Sequence, residues 1–132
     1  MIMDVTKIFS MILENLHFFD SLNFLPISLK SVHKSFDLTH KKGYYNHLFN
    51  KANNLDYVGL YSKSKFYRAD YMSGDERPQF FECYEKQKDT IFCSKHELLD
   101  YCMDDVNLMR QAFGSFRNLI KKLVKIEPFR EV

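Results

Sequence analysis

Apolar residues first cluster at Ile8, Phe9, Met11, Ile12 and Leu13, in a run that opens at Val5. Glu14-Asn15 interrupts it, and Leu16-His17-Phe18-Phe19 resumes it. Two β-prone runs around a short polar break predict a hairpin. Pro26 lacks the N–H that a continuing strand needs, so the strand ends before it. Ile27, Leu29, Val32, Phe36 and Leu38 predict a short helix after Pro26. Residues 39–72 read mostly as loop, broken by Gly43, Asn50, Asn53-Asn54 and Gly59. Its rings (Tyr44, Tyr45, Phe49, Tyr57, Tyr61, Phe66, Tyr67 and Tyr71) would pin it to a core. A loop this long in a compact domain is more often functional than idle.

Two Ser-x-x-Glu patterns follow, Ser73-Gly74-Asp75-Glu76 and Ser94-Lys95-His96-Glu97. Each predicts a capping box, in which hydroxyl and carboxylate satisfy backbone N–H groups at a helix start. In the first helix Phe80, Phe81 and Tyr84 should face inward. In the second, Leu99, Cys102, Val106, Met109, Phe113, Phe116, Ile120 and Leu123 recur in steps of three and four, which predicts one long amphipathic helix. Gly114 weakens its middle and Pro128 marks its end.

Composition adds bounds. The chain has 132 residues, 27% of them charged and 45% hydrophobic, which suits one compact domain or part of one. Its net charge of +2 does not by itself argue for nucleic acid. Local charge does more: Lys30, His33, Lys34, His40, Lys41, Lys42 and His47 face one acid, Asp37, across residues 30–47. The segment is either a solvated face or an electrostatic footprint. The sevenfold spacing of His33, His40 and His47 is a coincidence, because Gly43 prevents one helix from stacking them. Cys83, Cys93 and Cys102 suggest no disulfide framework or zinc site, so a reducing, intracellular setting is expected, with the thiols as small core residues. The N-terminus lacks a signal-peptide pattern, and no apolar run is long enough for a membrane span.

Tyr101 and Asp105 are the chemical candidates. Four apart on the long helix, they project from one face. An acid at the inward edge of a helix is costly unless it is paired or bound to a metal. The bland reading is a carboxylate held by a Lys, an Arg or a Tyr hydroxyl.

Tyr-x-x-x-Asp on a late amphipathic helix resembles the third exonuclease motif of proofreading DNA polymerases. Asp20-Ser21-Leu22-Asn23-Phe24-Leu25-Pro26 resembles the Ser/Thr-Leu-x-x-hydrophobic motif of protein-primed family-B polymerases. Lys42-Gly43-Tyr44-Tyr45 resembles their Lys-x-x-hydrophobic motif, and Ser35-Phe36-Asp37-Leu38 their Phe-x-Leu run. Each is short, but three stand in the family's order. Wider stretches, such as Lys42 through Phe49 and Glu97 through Val106, are similar to polymerases of Maverick-type (Polinton) transposons and of related viral and organellar-plasmid elements. The likeness spans about residues 5–129.

The resemblance implies an α/β fold: the back half of a ribonuclease-H-like 3′–5′ exonuclease domain, without palm, fingers or thumb. The hairpin would be the edge of a sheet completed elsewhere, the long helix would pack on that sheet, and the aromatic loop would cover the cleft. Asp105 would bind Mg2+ or Mn2+, Tyr101 would orient the attacking water, and Lys42 would contact the primer-end phosphate. Ser21 and Leu22 would hold the single-stranded primer end, with Tyr44 and Tyr45 beside it. Terminal protein is a further implied partner. The family's first motif, Asp-x-Glu, does not occur upstream of Ser21, and the Asp of its second motif has no convincing counterpart. One carboxylate cannot hold two ions, so the chain alone is expected to show no polymerase and little or no nuclease activity. Other readings are a non-catalytic single-strand-binding relic, supported by the basic segment and the aromatic loop, and a helical interaction domain unrelated to DNA.

Overall fold

The computed structural model describes residues 2–4, 7–39 and 42–130. Val5 and Thr6 of the predicted first strand, and His40 and Lys41 of the basic segment, lie outside the described residues. The architecture is a small α/β arrangement of two antiparallel sheets and three α-helices.

The first sheet has strands β1 (Ile2–Asp4), β2 (Lys7–Leu13) and β3 (Leu16–Phe19), in the order β1-β2-β3. β2 and β3 form the predicted hairpin, pairing Leu13 with Leu16 and Ser10 with Phe19. Glu14 turns the chain with a φ of 52°. Tight hairpin turns favour positive φ, because that twist matches the flanking strands. A 3-10 turn over Ser21–Asn23 follows, capped by Asp20, whose Oδ1 accepts the Leu22 N–H at 2.9 Å. The predicted short helix is α1 (Leu29–Ser35), and the Ser28 hydroxyl caps it by accepting the Ser31 N–H at 3.3 Å.

The sequence reading missed the second sheet. β4 (Val58–Leu60) interrupts the expected loop and pairs with β5 (Ile91–Cys93). Strands of three residues show no alternation to read, and only the distant partner creates them. Phe92 is driven inward and meets Tyr61 at 5.0 Å and Phe49 at 6.2 Å, edge to face.

Both long helices lack the predicted capping box. In α2 (Glu76–Gln87) the N-cap is Asp75, without a side-chain bond. The Ser73 carbonyl, not its hydroxyl, takes the first N–H groups, and the Glu76 carboxylate instead meets Lys30. In α3 (Ser94–Val124) Ser94 is already helical and buried, with its N–H on the Tyr57 carbonyl at 3.0 Å. Glu97 accepts the Tyr61 hydroxyl at 3.0 Å. Tertiary partners outbid the local caps. That bond and burial push Tyr61 up to about 12, burial being the larger cause.

Two cores result. One seats Leu25 and Val32 against Leu108 and Ala112, with Phe24, Phe36, Phe113 and Phe116 around them. The other seats Phe80 under Tyr67 and Ala69, with Phe81 and Tyr84 packed alongside, as expected. The helix α3 packs chiefly on α1, not on the hairpin sheet. Its fully buried apolar residues, Leu108 and Ala112, lie outside the predicted stripe; of that stripe Phe113 and Phe116 pack on the core, while Leu99, Cys102, Val106 and Leu123 are exposed. Nor are the cysteines core residues: Cys83 and Cys102 are exposed and Cys93 is half-buried.

Beyond α3 the chain folds back. Lys125 closes the helix with a φ of 58°, and the Arg117 guanidinium donates to Glu127 at 2.8–2.9 Å. Those bonds hold the Glu127 carboxyl down at about 2. Phe129 lands 5.3 Å from Phe24 and 5.7 Å from Phe113. The accessible surface is 10113 Å². A compact monomer of 15.8 kDa exposes about 7300 Å². Ile12, Leu13 and Leu16 of the hairpin contribute to the excess. Among the described residues no helix is long and apolar enough to cross a membrane.

Candidate functional site

The α1–α3 core fixes the azimuth of α3, because Leu108 and Ala112 must face Val32. Tyr101 and Asp105 lie on the same side of the helix, seven and three residues before Leu108. The segment after α1 brings Lys42 to them from 63 positions away in sequence. Lys42 Nζ donates to Asp105 Oδ2 at 3.0 Å and stands 5.0 Å from the centre of the Tyr101 ring. Burial pulls the Lys42 ammonium down, but bonding to Tyr101 and Asp105 outweighs it, so its pKa is raised. Asp105 Oδ1 is buried and has no hydrogen-bond partner. Each side chain of the pair keeps 27% of its surface exposed.

Three rings complete the cluster. Tyr45, buried at 6% exposure, stacks on Tyr101 with centroids 4.8 Å apart. His47 meets Tyr101 edge to face at 5.5 Å and Tyr45 at 5.3 Å. The Tyr101 hydroxyl lies 3.5 Å from His47 Nε2. Burial pushes Tyr45 up, with Cys102 adding to it, and pushes His47 down, with the Lys42 and Arg68 charges adding to that. His47 was not legible as a site residue. Its sequence signals were its place in the basic segment and within the stretch from Lys42 to Phe49, and neither singles it out.

Lys42, Tyr45, His47 and Tyr101 open onto a groove of about 490 Å³. Its walls add Lys30, His33 and Lys34 of α1, and Tyr44, Asp75 and Glu76. Tyr44 packs edge to face on Phe80 at 5.3 Å, and burial followed by the Glu76 charge raises its pKa. The described part of the basic segment therefore lines one cavity. Ser21 and Leu22 do not line it; they sit on the 3-10 turn before Leu25, where Leu22 is exposed.

A pair of divalent ions needs several hard oxygen ligands. Asp105 Oδ1 is free to serve as one, but among the described residues no group of three or more His, Cys, Asp or Glu side chains could hold a metal. The residues present do not make such a site by themselves.

The ion pair should respond unequally to its two deletions. Lys42→Ala strands a partly buried carboxylate and should cost about 1–2 kcal/mol. Asp105→Asn lets the lysine reach water and should stay within about 0.5 kcal/mol of the parent. Urea midpoints of the two variants check this, and equal losses would refute it.

The family model described as "DNA polymerase type B, organellar and viral" matches residues 2–131. A Neurospora intermedia protein named "Probable DNA polymerase" is 31% identical over 114 residues, which cover 85% of this chain. The chain spans about 12% of that relative's length. No solved structure matches the chain.

Proposed function

The chain belongs to the organellar and viral type B DNA polymerases, and from that premise we propose that it is the back part of a ribonuclease-H-like 3′–5′ exonuclease domain in a protein-primed enzyme, where it binds the single-stranded primer end. The observation that carries this reading is the meeting of Lys42 with Tyr101 at the wall of one groove, with Asp105 held behind them on Lys42 from 63 positions away. Lys42 contacts the primer-end phosphate, for which an ammonium among partly buried groups gives a strong charge-assisted bond. Tyr101 orients water. Tyr44 and the α1 lysines flank the strand in the groove, and the rigid Tyr45 ring supports Tyr101. Ser21 and Leu22 hold the strand, or terminal protein, on a neighbouring surface. Asp105 supplies one carboxylate to a Mg2+ or Mn2+ site whose other ligands come from outside these residues. Alone, the chain binds DNA without cutting it.

The test is fluorescence anisotropy with a labelled single-stranded oligonucleotide. Affinity should fall as salt rises, because lysines displace counterions from phosphates. Lys42→Ala should weaken binding about tenfold, or about 1.4 kcal/mol. Asp105→Asn should not weaken it, since it removes the negative charge that holds Lys42, a residue of the groove wall. No salt-dependent binding, or equal affinity for duplex, would sink the proposal.

A further inference from the structure

We propose that His47 is a positioning residue for Tyr101: its Nε2 accepts the phenol proton and so leaves the phenol oxygen as an acceptor toward water in the groove. The inference rests on the reading of Tyr101 as the group that orients water. The contact is geometric first. The hydroxyl and Nε2 are 3.5 Å apart, and such bonds are often long before substrate binds. The ring has little freedom. Tyr45 stacks on it at 4.8 Å, His47 abuts it edge-on, and Lys42 stands 5.0 Å from its centre. His47 is held in turn by its backbone, whose N–H donates to the Tyr45 carbonyl at 3.0 Å.

The direction of the bond follows from the partners. An ammonium has no acceptor to offer. The acceptor that the geometry sets against the hydroxyl is His47 Nε2, at 3.5 Å. A neutral imidazole has one unprotonated nitrogen and can take the phenol proton. The charges facing His47 are Lys42 and Arg68, which disfavour its protonation, and Asp105, which favours it; with burial, the balance is downward. A phenol that has given its proton to His47 can only accept from water. That water then donates one hydrogen to Tyr101 and keeps its oxygen lone pairs for an electrophile. With the opposite tautomer the phenol would donate to the water and occupy a lone pair.

The experiment is long-range 15N–1H correlation NMR of the imidazoles in the full 132-residue chain, with Tyr101→Phe and His47→Phe beside it. His47 should carry its proton on Nδ1, with Nε2 unprotonated. Tyr101→Phe should move the His47 Nε2 resonance while the other four histidines stay in place. His47→Phe keeps a ring but no acceptor, and should move the Tyr101 Cζ resonance. A proton on Nε2 in the parent chain overturns the proposal whether or not the variants fold. So does a Nε2 resonance indifferent to Tyr101→Phe. Loss of oligonucleotide binding with an intact His47 signal would overturn the primer-end reading instead, so the two failures are separable.

Discussion

Replacing Phe80 with alanine should destabilise the chain by about 3–5 kcal/mol, the usual cost of deleting a fully buried ring and leaving its cavity. Phe80 is 1% exposed and is the hub of the second core. Tyr44, Tyr67, Phe81 and Tyr84 all lie within 5.1–5.7 Å of it, centroid to centroid. Rings in contact with a void cannot relax into it without leaving one another. The loss should reach function through Tyr44, which lines the groove while leaning on Phe80. A chain with so open a surface starts near the low end of the usual 5–15 kcal/mol of stability. Thermal unfolding followed by circular dichroism should therefore find Phe80→Ala largely unfolded at 37 °C. Phe81→Ala, at a half-buried ring, should lose less. Equal losses at the two positions would mean that the second core is not built around Phe80.

Leu108→Ala should cost about 2–5 kcal/mol. Leu108 has no exposed surface and joins α3 to Val32 and Leu25. Its loss should also loosen the Lys42–Asp105 contact, because Asp105 lies one turn before it on the same helix. Chemical denaturation gives the first quantity and oligonucleotide affinity at sub-denaturing temperature gives the second. Val106→Ala, at an exposed position of the same helix, should change neither by more than about 0.5 kcal/mol. If Val106→Ala proved as costly as Leu108→Ala, the buried face of α3 would be the periodic stripe and not the line through Leu108.

These two residues show where reading the chain succeeds and fails. Phe80 was expected inside, and is. Leu108 was not in the stripe that periodicity picked out. The stripe through Leu99, Cys102 and Val106 is as regular, yet those three are exposed, while its later members Phe113 and Phe116 do pack on the core. Periodicity reports which faces can be buried; only a neighbour decides which one is. The same holds for Ser73 and Ser94. Their capping patterns are locally sound, yet Lys30 and Tyr61 claim the two glutamates from across the fold. Local propensity loses when a distant partner offers a better bond.

The local signals determined what local chemistry can determine. Glu14-Asn15 between two β-prone runs made the hairpin, Ser28 after Pro26 started α1, and the four-residue step from Tyr101 to Asp105 put both on one helical face. Those features arise within a turn or two of backbone, where propensity and spacing act directly. The order of the motifs also pointed to the polymerase family to which the chain belongs. Only the tertiary structure decided that Lys42 closes on Asp105, that Tyr45 and His47 box in the Tyr101 ring, and that β4 and β5 exist. Each of those depends on residues 31 or more positions apart. Their meeting is set by which surfaces the two cores must bury, and no window of neighbouring residues carries that information.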